Sequence, residues 1–283
     1  MQIVRPLIDG VISDYEVAEK MVQYFLNNVI QKKAGFLGRP TIIIGVPLEV
    51  TEVERKAVED AAIAAGAGKV YMVEQPMAAA IGSRLPISEA TASMIVDIGG
   101  GTTDIAVISL SGIATYRSLR QAGDELTKSI MQFARDEFNL IIGESVAENI
   151  KIRIGSAVEL DEPLTMSMRG RDVLSGLPKE VSVNDEQIRK AMSKIIKNII
   201  DNVKITLENT PPELVADIYE KGMLISGGGA LIKGLDKAIN KATGIHIRIA
   251  DDPLTAVVRG TGILFENQEL LDAVHLPTTQ YTK

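Results

Sequence analysis

The alternation of short apolar runs with helical patterns constrains the fold more than any other feature of this chain. Residues 41–46 (TIIIGV) are almost entirely apolar and β-branched, as in a strand that is buried on both faces. Thr51-Glu52-Val53-Glu54 follows as a capping box and predicts a helix that runs through about Ala65. Further strands are expected at residues 69–73, 93–97, 103–110, 113–119 and 223–226. This pattern predicts an α/β protein with a largely parallel sheet.

Length and composition limit the classes of protein to which the chain can belong. Its 283 residues suggest about two domains, and an apolar content of 46% excludes a largely disordered chain. The chain has no cysteine and only two histidines, His246 and His275, which argues against a thiolate or multi-histidine metal site. The net charge of −7 argues against non-specific binding to nucleic acid. No apolar run approaches the roughly 20 residues of a membrane-spanning helix, so we expect a soluble cytoplasmic protein.

The most informative segment is a glycine turn at residues 97–104 (DIGGGTTD), between two predicted strands. The consecutive glycines Gly99-Gly100-Gly101 allow backbone N–H groups to point into one concavity, where they can hold phosphate oxygens. Asp97 could hold Mg2+ through water, and Thr102 offers a hydroxyl group at phosphate distance. The segment matches neither the dinucleotide fingerprint nor the P-loop. A hairpin that serves only tight packing is the alternative, and we favour the phosphate interpretation.

A second glycine turn, Ser226-Gly227-Gly228-Gly229-Ala230, lies between a predicted strand and a helix that is expected to start near Ala230. A flat nucleotide base could lie against the backbone of the glycines, which have no side chains, and the start of a helix offers free N–H donors. Tight packing is again the alternative for this motif taken alone. Together, the two turns suggest two related domains that face one another across a cleft and hold a nucleotide between them.

Gln75, in the segment Glu74-Gln75-Pro76, follows the end of a predicted strand. Binding and catalytic side chains of α/β proteins concentrate at such positions. Gln75 cannot act as a general base, but it can orient a water for attack on a phosphoryl group. A surface loop without a chemical role explains the segment equally well.

The apolar pair Phe36 and Leu37 lies in a basic loop between a helix and a buried strand. Lys32, Lys33 and Arg39 flank the pair, a composition that suits shallow insertion into an anionic membrane surface. Packing of both side chains onto the core is the alternative, and composition alone favours it.

The later part of the chain contains an expected insertion and a long helix. Residues 155–182 are short extended pieces with turn signals, which predict a small inserted β subdomain. Asn184, with Gln187 in the box position, predicts the start of a long helix that ends before Pro211-Pro212.

Segments spread over the chain from about Arg5 onward resemble, in unbroken order, the MreB family of bacterial actin homologues. Several of them are specific to that family rather than to actin-like ATPases in general. The segments are Pro47 with TEVERKAV at 51–58, EQPMAAAIG at 74–82, DIGGGTTD at 97–104, PPEL at 211–214, SGGGA at 226–230, and DPLTAV followed by RG at 252–260.

The resemblance implies an α/β, actin-like fold of two lobes. It further implies that ATP binds between the lobes with Mg2+, and that the protein polymerises into paired filaments under the cell membrane. Such filaments guide cell-wall synthesis and cell shape. Phe36 and Leu37 fall where the family places its membrane-inserting pair, which reverses the preference for core packing.

The resemblance also assigns roles to matching positions. Residues 97–102 would be the second phosphate loop, with Asp97 at the metal and Thr102 near the attacking water. The ribose would meet Glu148, Asn149 and Lys151, and the adenine would meet residues 227–230, which are Gly227, Gly228, Gly229 and Ala230.

Two departures from the family pattern weaken the expected activity. The family opens with a β-hairpin that carries the first phosphate loop, Asp-Leu-Gly-Thr-Ala-Asn-Thr, and a small subdomain, whereas this sequence starts beyond both. Gln75 stands where most members carry a glutamate that polarises the water. Loss of the first phosphate loop predicts weaker ATP binding and slower hydrolysis, because this catalysis is mostly positioning and electrostatics. Actin itself carries glutamine at the second position, and Gln75 together with the missing loop favours a protein that does not hydrolyse ATP.

The sequence therefore predicts an MreB-like cytoskeletal protein that lacks the family's N-terminal segment. Residues 1–120 would form the rest of lobe I, and residues 121–283 would form lobe II with an inserted subdomain at about 155–205. Expected partners are further copies or paralogues, the inner face of the cell membrane and cell-wall or shape-determining proteins, with no nucleic acid. A non-hydrolysing scaffold that co-assembles with a complete paralogue is one alternative. A small-molecule kinase of the same superfamily is another, although Asp97 is its sole candidate catalytic acid.

Overall fold

Strands and helices alternate along most of the chain in the computed structural model, which describes residues 4–31 and 38–277. The strands are β1 (Leu7–Ile8), β2 (Val11–Ile12), β3 (Thr41–Val46), β4 (Lys69–Glu74), β5 (Ser93–Ile98), β6 (Thr103–Ser109), β7 (Gly112–Leu119), β8 (Leu140–Ile141), β9 (Thr165–Asp172), β10 (Pro178–Asn184), β11 (Met223–Ser226) and β12 (Ile247–Ile249). The helices are α1 (Tyr15–Gln31), α2 (Glu52–Ala64), α3 (Gln75–Gly82), α4 (Gly123–Phe138), α5 (Glu144–Ile154), α6 (Asp185–Glu208), α7 (Pro212–Lys221), α8 (Leu235–Thr243), α9 (Ala256–Glu266) and α10 (Gln268–Val274).

The five-stranded sheet that carries the site has the order β12-β11-β5-β6-β7. β11 runs parallel to both β5 and β12, whereas β6 is antiparallel to β5 and β7. The sheet is thus mixed rather than largely parallel, because tight turns join β5, β6 and β7 as consecutive hairpins.

Every residue of β5 is buried, and its side chains enter two different cores. Met94, Val96 and Ile98 contribute to the core that contains α4 and α6. Ile95 contributes to the core that contains α3 and α9. A strand with a core on each face has no place for polar residues until its end, which explains the apolar run before Asp97.

β3 and β4 form a separate parallel pair in the first lobe. Ile42 and Ile44 of β3 pack beside Ala62 of α2, and Ile43 packs into the core that contains α3. The continuous apolar character of this strand therefore has the same cause as that of β5.

The expected lobe boundary near residue 120 falls directly after β7. A division there would separate β5, β6 and β7 from β11, which is hydrogen-bonded to β5 in the same sheet. We propose a division before β5, because it leaves the sheet whole.

The inserted β subdomain also starts earlier than residue 155, since β8 pairs with the hairpin of β9 and β10.

Both predicted capping boxes are present. The Glu54 N–H donates to Thr51 Oγ1 (3.2 Å) and the Thr51 N–H donates to a Glu54 carboxylate oxygen (2.8 Å). Asn184 and Gln187 form the same reciprocal pair at the start of α6.

The prediction of a helix that starts near Ala230 is wrong. Residues Gly228–Leu231 form a 3-10 turn, and α8 begins only after Gly234.

Two glycines allow α3 and α9 to cross in backbone contact. A Cβ atom on Gly82 would lie 2.0 Å from the Ala256 carbonyl oxygen, and one on Gly260 would lie 1.8 Å from the Ala78 carbonyl oxygen. Neither distance is compatible with a side chain. The crossing fixes α3 and, with it, the strand end at which Gln75 lies.

The substitution Gly260→Ala should lower the free energy of unfolding by about 3 kcal/mol or more, because the backbone of α3 must move away. Gly262→Ala on the same helix is the matched control, since its Cβ would meet nothing within 4 Å. It should leave stability unchanged or raise it by up to about 1 kcal/mol, because alanine favours the helix over glycine. Urea unfolding measures both, and equal effects would refute the proposed contact.

Candidate functional site

The two glycine turns lie side by side at one edge of the five-stranded sheet. β5 and β11 are parallel neighbours with Ser226 opposite Asp97, so both turns leave the sheet at the same end. A Cβ on Gly227 would lie 2.3 Å from the Ile98 carbonyl oxygen, and one on Gly229 would lie 2.2 Å from Ile98 Cγ2. The expectation that the turns belong to two domains facing each other is therefore wrong, since strand pairing places them in one lobe.

The first turn presents backbone donors. The Gly99 N–H closes it by donating to the Thr102 carbonyl (2.9 Å). In the part of the chain that the structure describes, the N–H groups of Gly100 and Gly101 have no protein acceptor. Unpaired, neighbouring N–H groups at a turn form an anion-binding concavity, so the turn fits a phosphate group.

The N-terminus of α4 holds the first turn in place. The N–H groups of Gly123 and Asp124 donate to the carbonyls of Gly99 (3.1 Å) and Gly100 (2.8 Å). These bonds occupy the carbonyl oxygens of the turn and leave its N–H groups on the other side. The positive end of the α4 dipole therefore also lies at the turn, which favours an anion there.

Asp97 is a buried carboxyl group at the base of the turn, with 5% of the residue exposed. Burial raises its pKa to about 6, a hydrogen bond from the Ser226 hydroxyl (2.7 Å) opposes this rise, and the charge of Asp104 adds to it. Ser226, the last residue of β11, is thus part of the site, although the sequence analysis gave it no role.

Asp104 lies opposite Asp97 in the pairing of β5 with β6. It accepts hydrogen bonds from Ser118 Oγ (2.5 Å) and the Leu48 N–H (3.3 Å), and burial raises its pKa. No basic side chain is among the groups that shift either carboxyl. Two buried carboxyl groups without a basic partner fit the oxygen ligands of a hydrated Mg2+ ion. Among the described residues, no group of three or more potential metal ligands is found.

Thr102 is buried, and its hydroxyl group donates to Asp104 (3.3 Å). The turn between β1 and β2 covers it, because a Cβ on Gly10 would lie 2.8 Å from Thr102 Cγ2 and 2.9 Å from Pro47 Cγ. In this arrangement the Thr102 hydroxyl group orients a carboxylate and is shielded from solvent.

Gln75 is the first residue of α3, directly after β4. Its Nε2 donates to the Gly45 carbonyl (3.4 Å), which leaves the amide oxygen free to accept. Burial and the charge of Asp104 raise the pKa of the neighbouring Glu74. The end of β4 therefore lies close enough to Asp104 for its charge to act on Glu74, while the charge of Arg55 opposes the rise.

Glu148 and Lys151, two of the predicted ribose-binding residues, lie together on α5. Lys151 Nζ pairs with Glu148 (2.7 Å) and donates to the Gly123 carbonyl (2.8 Å), so α5 is tied to the N-terminus of α4. Burial acts to raise the pKa of Glu148, but hydrogen bonds from Lys151 and Thr127 outweigh it and keep that pKa low. Asn149 does not join them: it is exposed, and its amide donates to the Ser145 carbonyl (2.8 Å).

The second turn offers less surface than expected. Gly228 is exposed, and a Cβ there would lie 3.2 Å from Leu254. Gly229 is buried and Ala230 is only 1% exposed. The side chain of Ala230 therefore cannot face a bound base in this structure, and the close contacts with Ile98 show that Gly227 and Gly229 serve packing.

Phe36 and Leu37, the predicted membrane-inserting pair, lie outside the described residues. Sequence reasoning also missed Ser118 and the turn at Asp9 and Gly10. Ser118 carries no local motif. Asp9-Gly10 is a hairpin-turn motif, but a motif of this kind does not indicate that the turn reaches the site, which depends on packing.

Comparison with known proteins identifies one family. The family profile described as MreB/Mbl protein matches residues 1–273. The cell shape-determining protein MreB of Escherichia coli strain K12 is 44% identical over 263 residues, which cover 93% of this chain and 76% of that protein. The cell shape-determining protein Mbl of Bacillus subtilis strain 168 is 41% identical over 268 residues, which cover 95% of this chain and 80% of that protein.

Solved structures agree on the fold. MreB5 of Spiroplasma citri bound to ADP superimposes with a TM-score of 0.89 at 36% identity, covering 96% of this chain and 80% of that one. The MamK double helical filament superimposes with a TM-score of 0.78 at 22% identity, covering 93% and 80%, and bears on the fold alone. The actin-like, two-lobed α/β fold that the sequence predicts is confirmed.

The raised pKa of Asp97 predicts a pH-dependent stability. The folded state keeps a proton on Asp97 up to about pH 6, whereas the unfolded chain releases it near the usual value of 3.8. This contribution is therefore fully present below about pH 3.8 and is lost as the pH rises through 6. Between pH 4 and 7, wild-type protein should lose about 2 kcal/mol of unfolding free energy relative to Asp97→Asn.

Urea unfolding at steps between pH 4 and 7.5, without nucleotide or divalent cation, measures this difference. Ser226→Ala should enlarge it, because the substitution removes the hydrogen bond that stabilises the carboxylate. Parallel curves for wild type and Asp97→Asn would show that the carboxyl group titrates normally.

Proposed function

The chain belongs to the MreB/Mbl family, and from this premise we propose that it is a cytoskeletal protein that binds ATP between its two lobes. With ATP bound, the protein assembles into membrane-associated filaments that direct cell shape and wall synthesis. The observation that carries the proposal is a glycine turn with unpaired N–H groups beside a buried pair of carboxyl groups. Anion donors and oxygen ligands for a cation are the two elements that a magnesium nucleotide needs.

Three parts of the described chain would share the nucleotide. In the turn from Gly99 to Thr102, the unpaired N–H groups of Gly100 and Gly101 would hold phosphate oxygens, and the Gly99 N–H closes the turn by donating to the Thr102 carbonyl. Glu148 and Lys151 would meet the ribose, since they lie where α5 joins the start of α4. The adenine would lie along the second turn at Gly228, the exposed glycine of that turn.

Asp97 would hold Mg2+ through water, with Asp104 beside it. A cation favours the charged form of both carboxyl groups, whose pKa values are raised in its absence. Binding of the ion should therefore release protons at about pH 6 and below, where Asp97 is at least half protonated. Binding of such an ion would explain why the fold keeps Asp97 and Asp104 buried with no basic partner among the described residues.

Hydrolysis is proposed to be slow. Bound ATP supplies a phosphoanhydride bond, and the chain must orient a water toward it. The amide oxygen of Gln75 can accept a hydrogen bond from that water but cannot take its proton at neutral pH. The Thr102 hydroxyl group is engaged by Asp104, so it too orients rather than deprotonates.

Self-assembly is proposed from membership of the MreB/Mbl family, and the MamK double helical filament shares the fold. Membrane association would be peripheral, at the inner face of the cytoplasmic membrane, through Phe36 and Leu37. None of the helices in the described ranges has the length and apolar character to cross a bilayer. Cell-wall and shape-determining proteins would be the partners of such filaments.

A second candidate function is a scaffold that binds nucleotide without hydrolysing it and co-assembles with a complete paralogue. The engaged Thr102 and the glutamine at position 75 favour it. A small-molecule kinase receives less support, because the second buried acid, Asp104, has hydrogen bonds to Ser118 and Leu48 and is not free to accept a substrate proton.

Purified protein should bind ADP and ATP with Mg2+, sediment as filaments with ATP, and release phosphate slowly. Sedimentation only in the presence of a full-length paralogue would favour the scaffold. Binding of neither nucleotide would refute the proposal in all its forms.

Gly100→Asp should weaken ADP binding about tenfold or more, because it adds a negative charge among the donors of the turn. Backbone space permits the change, since the nearest atom to a Cβ is 3.8 Å away. Gly112→Asp, at the exposed first residue of β7, where a Cβ would lie 3.7 Å from the nearest atom, is the control and should bind ADP as wild type does. Isothermal titration calorimetry measures both, and unchanged binding by Gly100→Asp would place the phosphates elsewhere.

A further inference from the structure

We propose that Arg5 binds a phosphate group of the nucleotide, and that it does so by leaving two carboxylates that hold it in the free protein. This inference rests on the proposed nucleotide site at Gly99 to Thr102. It adds a residue from the N-terminal hairpin of β1 and β2 to that site, and it assigns the hairpin a role in binding.

The hairpin turn lies directly on the glycine turn. A Cβ on Gly101 would lie 2.7 Å from the Gly10 backbone nitrogen and 2.8 Å from Asp9 Cα. Asp9 and Gly10 both have positive φ angles (49° and 78°), which give the tight turn that joins β1 to β2. The hairpin is therefore in van der Waals contact with the phosphate cradle, which is the proposed phosphate-binding turn from Gly99 to Thr102.

The backbone of Arg5 is anchored at the base of the same hairpin. The Ser13 hydroxyl group donates to the Arg5 carbonyl (3.1 Å), and the Ser13 N–H donates to the Pro6 carbonyl (2.9 Å). The Arg5 side chain, in contrast, is 53% exposed. Its guanidinium group is thus held near the cradle by the backbone but is free to change partners.

The present partners of Arg5 lie on both sides of the cradle. Its guanidinium group pairs with Asp124 (3.6 Å) at the start of α4 and with Glu144 at the start of α5. The Asp124 carboxylate is 3.8 Å from where a Cβ on Gly100 would lie. The charge of Arg5 also contributes to the low pKa of Glu148. Arg5 therefore lies between the proposed phosphate and ribose positions.

The electrostatic environment favours an exchange of the ion-pair partners of Arg5 when an anion binds. An anionic nucleotide must approach a region that contains carboxylates at Asp97, Asp104, Asp124, Glu144 and Glu148. Lys151 is already engaged by Glu148, Thr127 and the Gly123 carbonyl, and Lys128 pairs with Glu125. Arg5 has exposed ion pairs, which contribute little to stability, so they are readily exchanged. Its planar fork of donors matches the oxygens of a phosphate group.

The test compares the binding of ADP and adenosine by wild type, Arg5→Ala, Arg5→Lys and Arg120→Ala. Arg120 is the matched control, since its side chain is also 53% exposed but it pairs with Glu54 rather than with Asp124 or Glu144. Arg5→Ala should weaken ADP binding about tenfold and leave adenosine binding unchanged, because a charge-assisted hydrogen bond to phosphate is lost. Arg5→Lys should fall in between, and Arg120→Ala should match wild type.

The substitution Glu144→Gln should have the opposite effect on the affinity for ADP. It removes one of the two carboxylates that compete for Arg5, so ADP should bind about threefold more tightly. Circular dichroism and thermal melting of each variant establish that it is folded. Hydrogen exchange of residues 7–12 should be slowed by ADP in wild type and unaffected by ADP in Arg5→Ala.

Each outcome of this experiment has a defined meaning. Wild-type binding of ADP with no loss in Arg5→Ala would overturn this inference and leave the proposed nucleotide site intact. Tighter ADP binding by Arg5→Ala would also overturn it, because the hairpin would then compete with the nucleotide. Failure of wild type to bind either ligand would overturn both the inference and the proposed function.

Discussion

The parallel pairing of β5 with β11 is the interaction on which the rest of the site depends. It sets Ser226 opposite Asp97, so that the Ser226 hydroxyl group hydrogen-bonds a carboxyl group that has no basic partner among the described residues. It also brings the two glycine turns to one edge, where Gly227 and Gly229 pack on Ile98. A carboxyl group with a pKa near 6 costs stability at neutral pH. The fold retains it beside a row of unpaired N–H groups, which is the combination that a magnesium nucleotide would use.

The first lobe reaches this site through a few contacts at the ends of its strands. The Leu48 N–H, two residues after β3, hydrogen-bonds Asp104, and Pro47 packs beside Gly10 and Thr102. Gln75 follows β4, and its position depends on the crossing of α3 with α9 at glycines that leave no room for a side chain. Motion between the lobes would therefore change the distance between Gln75 and the carboxyl pair.

Local features were predicted well because their causes are local. The β-branched runs at β3 and β5, the capping boxes at Thr51 and Asn184, and the turn at residues 99–101 each depend on residues within a few positions of one another. The helix expected near Ala230 was wrong because a 3-10 turn and a helix start share the same glycine signal. The sheet was expected to be largely parallel, but the hairpins of β6 and β7 make it mixed.

The sequence by itself determined where strands end, which turns carry donors and which family the motifs resemble. Only the tertiary structure decided that both glycine turns belong to one sheet, that Ala230 is buried, and that Arg5 and the turn at Gly10 lie on the cradle. The reason is physical. Strand order and the burial of a carboxyl group depend on residues more than a hundred positions apart, and no periodicity or motif within a short window reports which of those residues become neighbours.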